Sequence, residues 1–536
     1  SGLSNVGMLE TIASINEYAK KPIAIITYNE IQAKWIVENL QFFTDKVIYF
    51  PKKDIVTYDY IAESKDLPYA RIEALNKLNS KINYIFVTTI EAVMQKLPAK
   101  ELLYKNILKF KVGEVHSLDQ IKQDLVNLGY TRCDLIEGRG QFSLRGGILD
   151  ISINDAIGVR IEFWGDEIDS IRNFNIVSQR SINALEKVEI EPAHEYILEK
   201  PIEEICKKVR KTIANDLQED IIEQDIEQIK AGNYISKIDK YFDCFYDKQE
   251  TVIDYLNQNS IITFDEIRKI EQRAQNVIKD NDNLIKNLIE KGKVVPQAIS
   301  NIQPFSSIEK LVEESKKVTI YIEKQDNKID RQAQNYNFSY RAINYFKSEI
   351  ETLFTDIRKA QEQGKNIYVV VATKEKAKKL KEILEKEDIM CKIEEKLDKT
   401  IIVKTQEKII TIAVGKLTEG FENYDINQVV IAADELIEGG KKKKTFAHQA
   451  YKEGEKVVFA DLKIGDYVVH KNYGIGIYIG VNTITADGTT KDYIKLKYQN
   501  DDILYVPTNQ FDSIRKYNGG DAINPPINKL GSKDWR

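Results

Sequence analysis

Gly2 and Gly7, followed by Met8 and Leu9, have the glycine spacing of the phosphate-binding loop GxxxxGK[ST]. In that loop backbone N–H groups cradle phosphates, the lysine reaches the β- and γ-phosphates and the hydroxyl binds Mg²⁺. Met8 and Leu9 supply neither ammonium nor hydroxyl, so this stretch is expected to be an inactive nucleotide loop, or simply two glycines. Asp265 and Glu266 end the run SIITFDE, and at a strand end such a pair could hold Mg²⁺ and polarise water. With no lysine at position 8 it reads as the remnant of a site or as a solvated pair. A different chemistry is offered by Arg145, Arg160 and Trp164. Arg160 and Trp164 are four residues apart on an alternating run, so on a strand they share a face. Guanidinium and indole groups anchor protein interfaces. The competing reading is an ordinary solvated strand face carrying a stray tryptophan.

The remaining reactive residue types are scattered. The chain has 4 cysteines, at 133, 206, 244 and 391, without CxxC spacing, and only 4 histidines, so no zinc signature forms. Cys133 has no histidine or acidic partner at a suggestive position and reads as a neutral side chain. Free thiols and the lack of a secretory apolar segment point to a reducing cytoplasm. The longest apolar runs are strand-length, too short to span a bilayer. The net charge of −5 gives no support to gripping a phosphate backbone as the main activity of a 536-residue chain.

The elements that must position these residues fall into blocks. PIAIIT reads as a buried strand, Asn29 as the cap of a helix over 30–42, and further strands and helices alternate to residue 95, which implies a parallel sheet. From residue 110 the pattern changes to a strand, a helix over 118–128, and alternating segments at 147–153, 158–164 and 167–174. These form a small antiparallel sheet with one solvated face. In the third segment strict alternation puts Ile168, Ser170, Arg172 and Phe174 opposite Asp169 and Ile171. A long amphipathic helical region covers 201–231, the strand SIITFDE follows, and another helix covers 267–293.

A second α/β unit begins with a helix over 343–361, continues with NIYVVVAT and a helix over 374–385, and ends with the strands KIITIAV and QVVIAAD. Lys416 and Glu419 between those strands are better read as structural than as a site. EGGKKKKTFAHQAYKEGEK is a charged linker, although Lys441–Lys444 could touch phosphates. Short alternating strands with Gly turns at 461–517 are the signature of a small bent β-barrel of the SH3 or Tudor kind. His470 is expected to be a packed strand residue there.

The order RGGILDI, VRIEFWGDEIDSI, SQR resembles the inserted second domain of UvrB, and more closely that of the bacterial transcription-repair coupling factors. GDYVVH, GIG, DYIKLKY and LYVP resemble the RNA-polymerase-interacting domain that those factors share with the CarD regulators. The resemblance implies a multidomain α/β chain. Its parts would be a UvrB-like, helicase-like domain with a degenerate phosphate loop (Gly2, Gly7, Met8, Leu9) at 1–106 and 193–325, and an inserted α+β UvrA-binding domain at 107–192. A small α/β domain would follow at 331–438, a linker at 439–456, the SH3/Tudor-like barrel at 457–525, and the start of a connection to a motor at 526–536. It also implies that Arg145, Arg160 and Trp164 contact UvrA, with Trp164 where the family usually has Phe. An edge strand within 478–484 would pair with the RNA polymerase β subunit, with Ile479, Val481 and Ile484 at the contact.

The expected function is a scaffold joining stalled polymerase to nucleotide excision repair. No cofactor is expected here, because ATP, Mg²⁺ and DNA translocation belong to a motor that this stretch lacks. A CarD-like regulator and a UvrB-like ATPase are the alternatives.

Overall fold

The structure is a computed structural model that describes residues 2–53, 66–79, 83–213, 216–230, 235–290, 302–323, 334–343, 350–394 and 409–434. Towards the C-terminus it describes 465, 467–470, 474–486, 489–498, 503–507 and 514–516. The chain divides into two units, 1–441 and 442–536. The linker at 439–456 with Lys441–Lys444, and the segment 526–536, lie outside the described residues. Among the described residues no helix is long and apolar enough to cross a membrane.

The first unit opens with α1 (Asn5–Ala19), whose N-terminus is capped by Ser4. It is followed by β1 (Ile23–Thr27), α2 (Glu30–Phe43), β2 (Val47–Phe50), α3 (Asp66–Asn79), β3 (Ile85–Thr89) and α4 (Ile90–Met94). Asn29 caps α2 through its side chain, as its position before an amphipathic run predicts, and of the two adjacent threonines before α4 it is Thr89 that caps the helix. Short β4 (Leu97–Pro98) and α5 (Lys100–Lys105) lead into the insertion.

The insertion leaves through β5 (Leu108–Lys111) and returns through β12 (Lys187–Ile190), which pair antiparallel as a stem. Between them come α6 (Leu118–Asn127), β6 (Thr131–Arg132), β7 (Gln141–Arg145), β8 (Ile148–Ser152), β9 (Ile157–Trp164), β10 (Glu167–Asn175) and β11 (Ser181–Leu185). Strands β6 to β11 form a sheet in sequence order, antiparallel except for the β6–β7 pair. Its main-core face buries Phe142, Leu149, Ile151, Val159, Ile161 and Ile171 against Ile121 and Leu125 of α6.

The chain then forms α7 (Ile202–Arg210), α8 (Asp216–Lys230), α9 (Ile235–Phe245), β13 (Gln249–Glu250) and α10 (Val252–Tyr255). The expected helical region over 201–231 consists of two helices, which pack with α9 around Ile205, Ile226, Phe242 and Phe245. β14 (Ile261–Asp265), α11 (Ile267–Glu290), α12 (Phe305–Glu314) and β15 (Thr319–Ile322) complete a parallel sheet of order β15-β14-β1-β3-β2. Each residue of β1, β3 and β14 is buried, which explains their unbroken apolar runs.

A second sheet follows, formed by β16 (Tyr340–Ile343), β17 (Asn366–Val371), β18 (Cys391–Glu394), β19 (Ile410–Val414), β20 (Gly420–Asn423) and β21 (Gln428–Ala432). The helices α13 (Ile350–Glu362) and α14 (Lys374–Lys386) pack on it. Of the expected helix over 343–361, Ile343 lies instead in an antiparallel ladder with β20 and the residues from Ile350 are helical, 344–349 lying outside the described residues. This sheet also packs against α1 and α2: Val6, Trp35 and Phe42 join Tyr368, Val370 and Phe421 in one cluster.

The second unit is an antiparallel sheet of β22 (Tyr467–His470), β23 (Gly474–Ala486), β24 (Thr489–Lys497), β25 (Ile503–Pro507) and β26 (Ile514–Lys516), in the order β25-β24-β23-β22-β26. Val468, Tyr478, Ile494, Leu496, Tyr498 and Val506 form its core. His470 is buried within the sheet, and burial lowers its pKa.

Candidate functional site

The sequence-derived interface residues sit on the face of the inserted sheet that points away from α6. Cross-strand register arranges that face in rows. Ser143, Asp150, Arg160 and Arg172 lie opposite one another on β7 to β10, and the next row is Arg145, Ile148, Glu162 and Ser170. Trp164 lies one step further along β9, opposite Glu167. A register shift between Ile168 and Ser170 corrects the expected alternation. The irregularity lets Ile168 turn into the main core beside Ile171, while Ser170 and Arg172 stay on the polar face.

Nor is this face solvated throughout. Phe174, Ile136 and Ile176, with Cys133 packed beside them, make a second small core over its far end. Gly158 is required there, because a Cβ at that position would lie 2.6 Å from the Phe174 ring. Cys133 is half-buried, its thiol pushed up chiefly by burial, and it donates to the Phe142 carbonyl at 3.4 Å.

Asp150 lies at the border between the covered and open parts of the face and is 1% exposed. Its Oδ1 accepts from Arg160 Nε at 2.6 Å, and its Oδ2 from Arg160 Nη2 at 2.8 Å and from Arg145 Nη2 at 3.0 Å. Arg160 Nη2 also donates to Gln179 Oε1 at 3.2 Å, and the guanidinium stacks 4.7 Å from the Phe174 ring centroid. The hydrogen bonds to Asp150 raise the Arg160 pKa further above its ordinary value. Gln179 is held in the left-handed region, at φ 57, by its backbone bond to Asn175 and its side-chain bond to the Ile176 carbonyl.

The three expected contact residues therefore differ in exposure. The Arg160 side chain is 17% exposed, that of Arg145 is 50% exposed, and Trp164 is 85% exposed. Arg172 and Glu162 pair beside them, and Val115, bridged to Glu167, leaves a second apolar side chain open near Trp164. Asp150 escaped the sequence reading. The alternation of RGGILDI marked it as polar and outward, but one strand pattern cannot reveal that two arginines converge on it.

The other candidates are placed differently. Gly7, Met8 and Leu9 do not form a loop: they lie inside α1, before the first strand of the sheet. Ser4 Oγ takes the Gly7 N–H at 3.0 Å, and Gly7 packs so closely on Tyr340 that a Cβ would meet the ring at 2.3 Å. Gly2 has φ 76 and accepts from Tyr340 N at 3.1 Å. Met8 and Leu9 are core residues under the sheet.

In a parallel α/β sheet, ligands bind beyond the carboxyl ends of strands where the strand order reverses, which here lies between β1 and β14. The crossing from β1 into α2 consists of Tyr28 and Asn29 alone, without glycine, and Asn29 Oδ1 already takes the Gln32 N–H at 2.8 Å. Asp265 is fully buried at the same edge, and its Oδ2 accepts from Thr27 Oγ1 at 3.0 Å and Gln32 Nε2 at 3.1 Å. Glu266 pairs with Lys269 at 3.0 Å, and Lys269 lies over the Tyr28 ring. Two carboxylates thus line the crevice, and its helix N-terminus is capped by the chain itself. Lys416 pairs with Glu38 and so ties the second sheet to α2.

In the second unit, the expected polymerase-facing segment lies in the middle of the sheet. β23 pairs with β24 along most of its length, whereas its ladder to β22 ends at Ile477. Beyond the bond from Gly465 N to the Tyr478 carbonyl, 2.8 Å, Ile479 sits at a register shift, and the residues from Gly480 to Ala486 are paired with β24 alone among the described residues. Ile479 is half-buried; the side chains of Val481 and Ile484 lie outside those described.

Comparison with known proteins defines the class. Residues 108–196 match the UvrB interaction domain family, and residues 462–518 match the CarD-like/TRCF RID domain family. The chain is a mixed α/β multidomain protein carrying both. Over 100% of its length it is similar to transcription-repair-coupling factors. It is 30% identical to that of Bacillus subtilis (strain 168) over 554 residues, and 30% identical to that of Staphylococcus aureus (strain bovine RF122 / ET3-1) over 555 residues. The protein of S. aureus (strain MSSA476) is 29% identical over 555 residues. The chain spans 46% of each of these relatives.

Proposed function

We propose that this chain is the docking part of a transcription-repair coupling factor, and that it binds UvrA through the inserted domain and the RNA polymerase β subunit through the C-terminal unit. The observation that carries the reading is the presence of both interaction-domain families in one chain, at 108–196 and 462–518. Arg145 and Trp164 would meet UvrA on the open part of the inserted sheet, and the one-sided stretch of β23 from Gly480 onward would add a strand of the polymerase to its sheet. A bent SH3-like barrel fits the second unit, since the 13-residue β23 is interrupted by a register shift between Tyr478 and Gly480, with Gly480 at φ 117.

Nucleotide turnover is not the work of this stretch. The crossing at Tyr28 and Asn29 lacks the glycines, lysine and hydroxyl of a phosphate loop, Asn29 already takes an N–H of the α2 N-terminus, and Glu266 is paired with Lys269. Surface plasmon resonance with purified UvrA and with purified polymerase β subunit tests the reading. Saturable binding of each is expected, and binding of neither would overturn it. Phosphate release with and without DNA should stay at background; turnover would favour a UvrB-like ATPase instead.

A further inference from the structure

The two arginines that the sequence treats as equivalent are built for different tasks. Arg160 spends its guanidinium inside the protein. It makes two hydrogen bonds to Asp150 and one to Gln179, it stacks on Phe174, and its side chain is 17% exposed. Among the described residues the Arg145 side chain makes a single hydrogen bond, to the Asp150 oxygen that Arg160 also holds, and half of it is open to solvent. A guanidinium has five N–H donors, so Arg145 has donors left for a partner while its direction is fixed by Asp150. The trio carries one net positive charge, next to Ile148 at 37% and Trp164 at 85% exposure. A surface of this kind suits a partner carboxylate seated beside an apolar side chain.

We propose that Arg160 and Asp150 are positioning residues, and that Arg145 and Trp164 make the contact by receiving an acidic side chain of UvrA. The proposal rests on the reading that this face binds UvrA. Asp150 is the pivot, since its carboxylate is buried and Arg160, held against Phe174 and Gln179, orients it to fix Arg145.

A double-mutant cycle tests it. UvrA affinity is measured by calorimetry for the full chain and for Arg145→Ala, Arg160→Lys, Asp150→Asn and the two doubles that add Arg145→Ala. Arg145→Ala should weaken binding about tenfold. Arg160→Lys and Asp150→Asn should each weaken binding alone, yet have almost no further effect once Arg145 is alanine. Independent effects that multiply would mean that Arg160 touches UvrA itself, and would overturn the proposal. A merely structural role would lower thermal stability without that non-additivity. If the wild-type chain fails to bind UvrA, the functional reading falls, but the positioning claim is still decided by side-chain NMR. The Arg145 Nε–H signal should be ordered in the wild type and become mobile in Arg160→Lys; an unchanged signal would refute it.

Discussion

Glu10 on α1 and Tyr340 on β16 are separated by 330 residues, yet the Tyr340 hydroxyl donates to Glu10 Oε2 at 3.0 Å. Asn423 Nδ2 donates to the same hydroxyl at 2.7 Å, and Thr11 Oγ1 is 3.3 Å away. This polar knot lies in the contact between α1 and the second sheet. Trp35 and Asn39 on α2 reinforce that contact by bonding Thr418 at 3.0 and 2.9 Å. The helix that the sequence offered as a nucleotide loop is thus the piece that docks one α/β sheet to the next.

The knot makes stability depend on pH. Burial raises the Glu10 pKa to about 7, against the opposing hydrogen bonds from Tyr340, Gln428 and Asn423. The folded state therefore holds a proton that the unfolded chain releases above its ordinary carboxylate pKa. The contribution is fully present below about pH 4.5 and is lost as pH rises through about 7, on the order of 2–3 kcal/mol in all. Glu10→Gln keeps the shape and the acceptor for Tyr340 without the charge. Denaturant unfolding of both proteins should give similar stability near pH 5 and a clear advantage for the variant at pH 8; parallel curves would contradict this. Taking the difference removes the opposite trend from half-buried His194, whose pKa desolvation lowers to about 4.

Arg71 and Glu195 anchor the insertion's return to the first sheet. The pair is 1% and 4% exposed, with Nε to Oε2 at 2.9 Å, and Arg71 also bonds the Pro51 carbonyl at 2.7 Å and stacks on Phe50. Removing one partner strands a buried charge, so Arg71→Ala or Glu195→Ala should cost about 3–5 kcal/mol in urea unfolding, and an apolar double replacement much less. A single-variant loss below about 1 kcal/mol would mean that water reaches the site.

Trp164 separates binding from folding. At 85% exposure its ring adds little to the core, so Trp164→Ala should leave the melting temperature within a degree or so. UvrA affinity should fall by about 1–2 kcal/mol, while Trp164→Phe retains most of it. Equal affinity for all three proteins would remove the ring from the interface.

For the C-terminal unit the expected outcome concerns β23. Ile479→Asp places a charge at the half-buried residue of the register shift, where the one-sided stretch of the strand begins, and should reduce capture of the polymerase β subunit tenfold or more, with the circular dichroism of the sheet retained. Normal capture by the folded variant would move the contact to another edge.

Much of this architecture was legible in the sequence. The apolar run of β1 and the alternation of strands with helices gave away a parallel sheet, Asn29 gave away a helix start, and alternation in 147–164 gave away antiparallel strands with Arg160 and Trp164 on one face. These follow from short-range periodicity and backbone capping, which neighbouring residues determine. Tertiary structure alone decided what each polar residue faces. It buried Asp150 beneath two arginines from different strands and turned Ile168 inward through one irregular pairing. It also made Gly7 a contact for Tyr340 and tied the Arg160 guanidinium to Asp150, Gln179 and the Phe174 ring. Such outcomes depend on side chains brought together from distant positions, where the cost of burying a charge must be met by partners that no local pattern reveals.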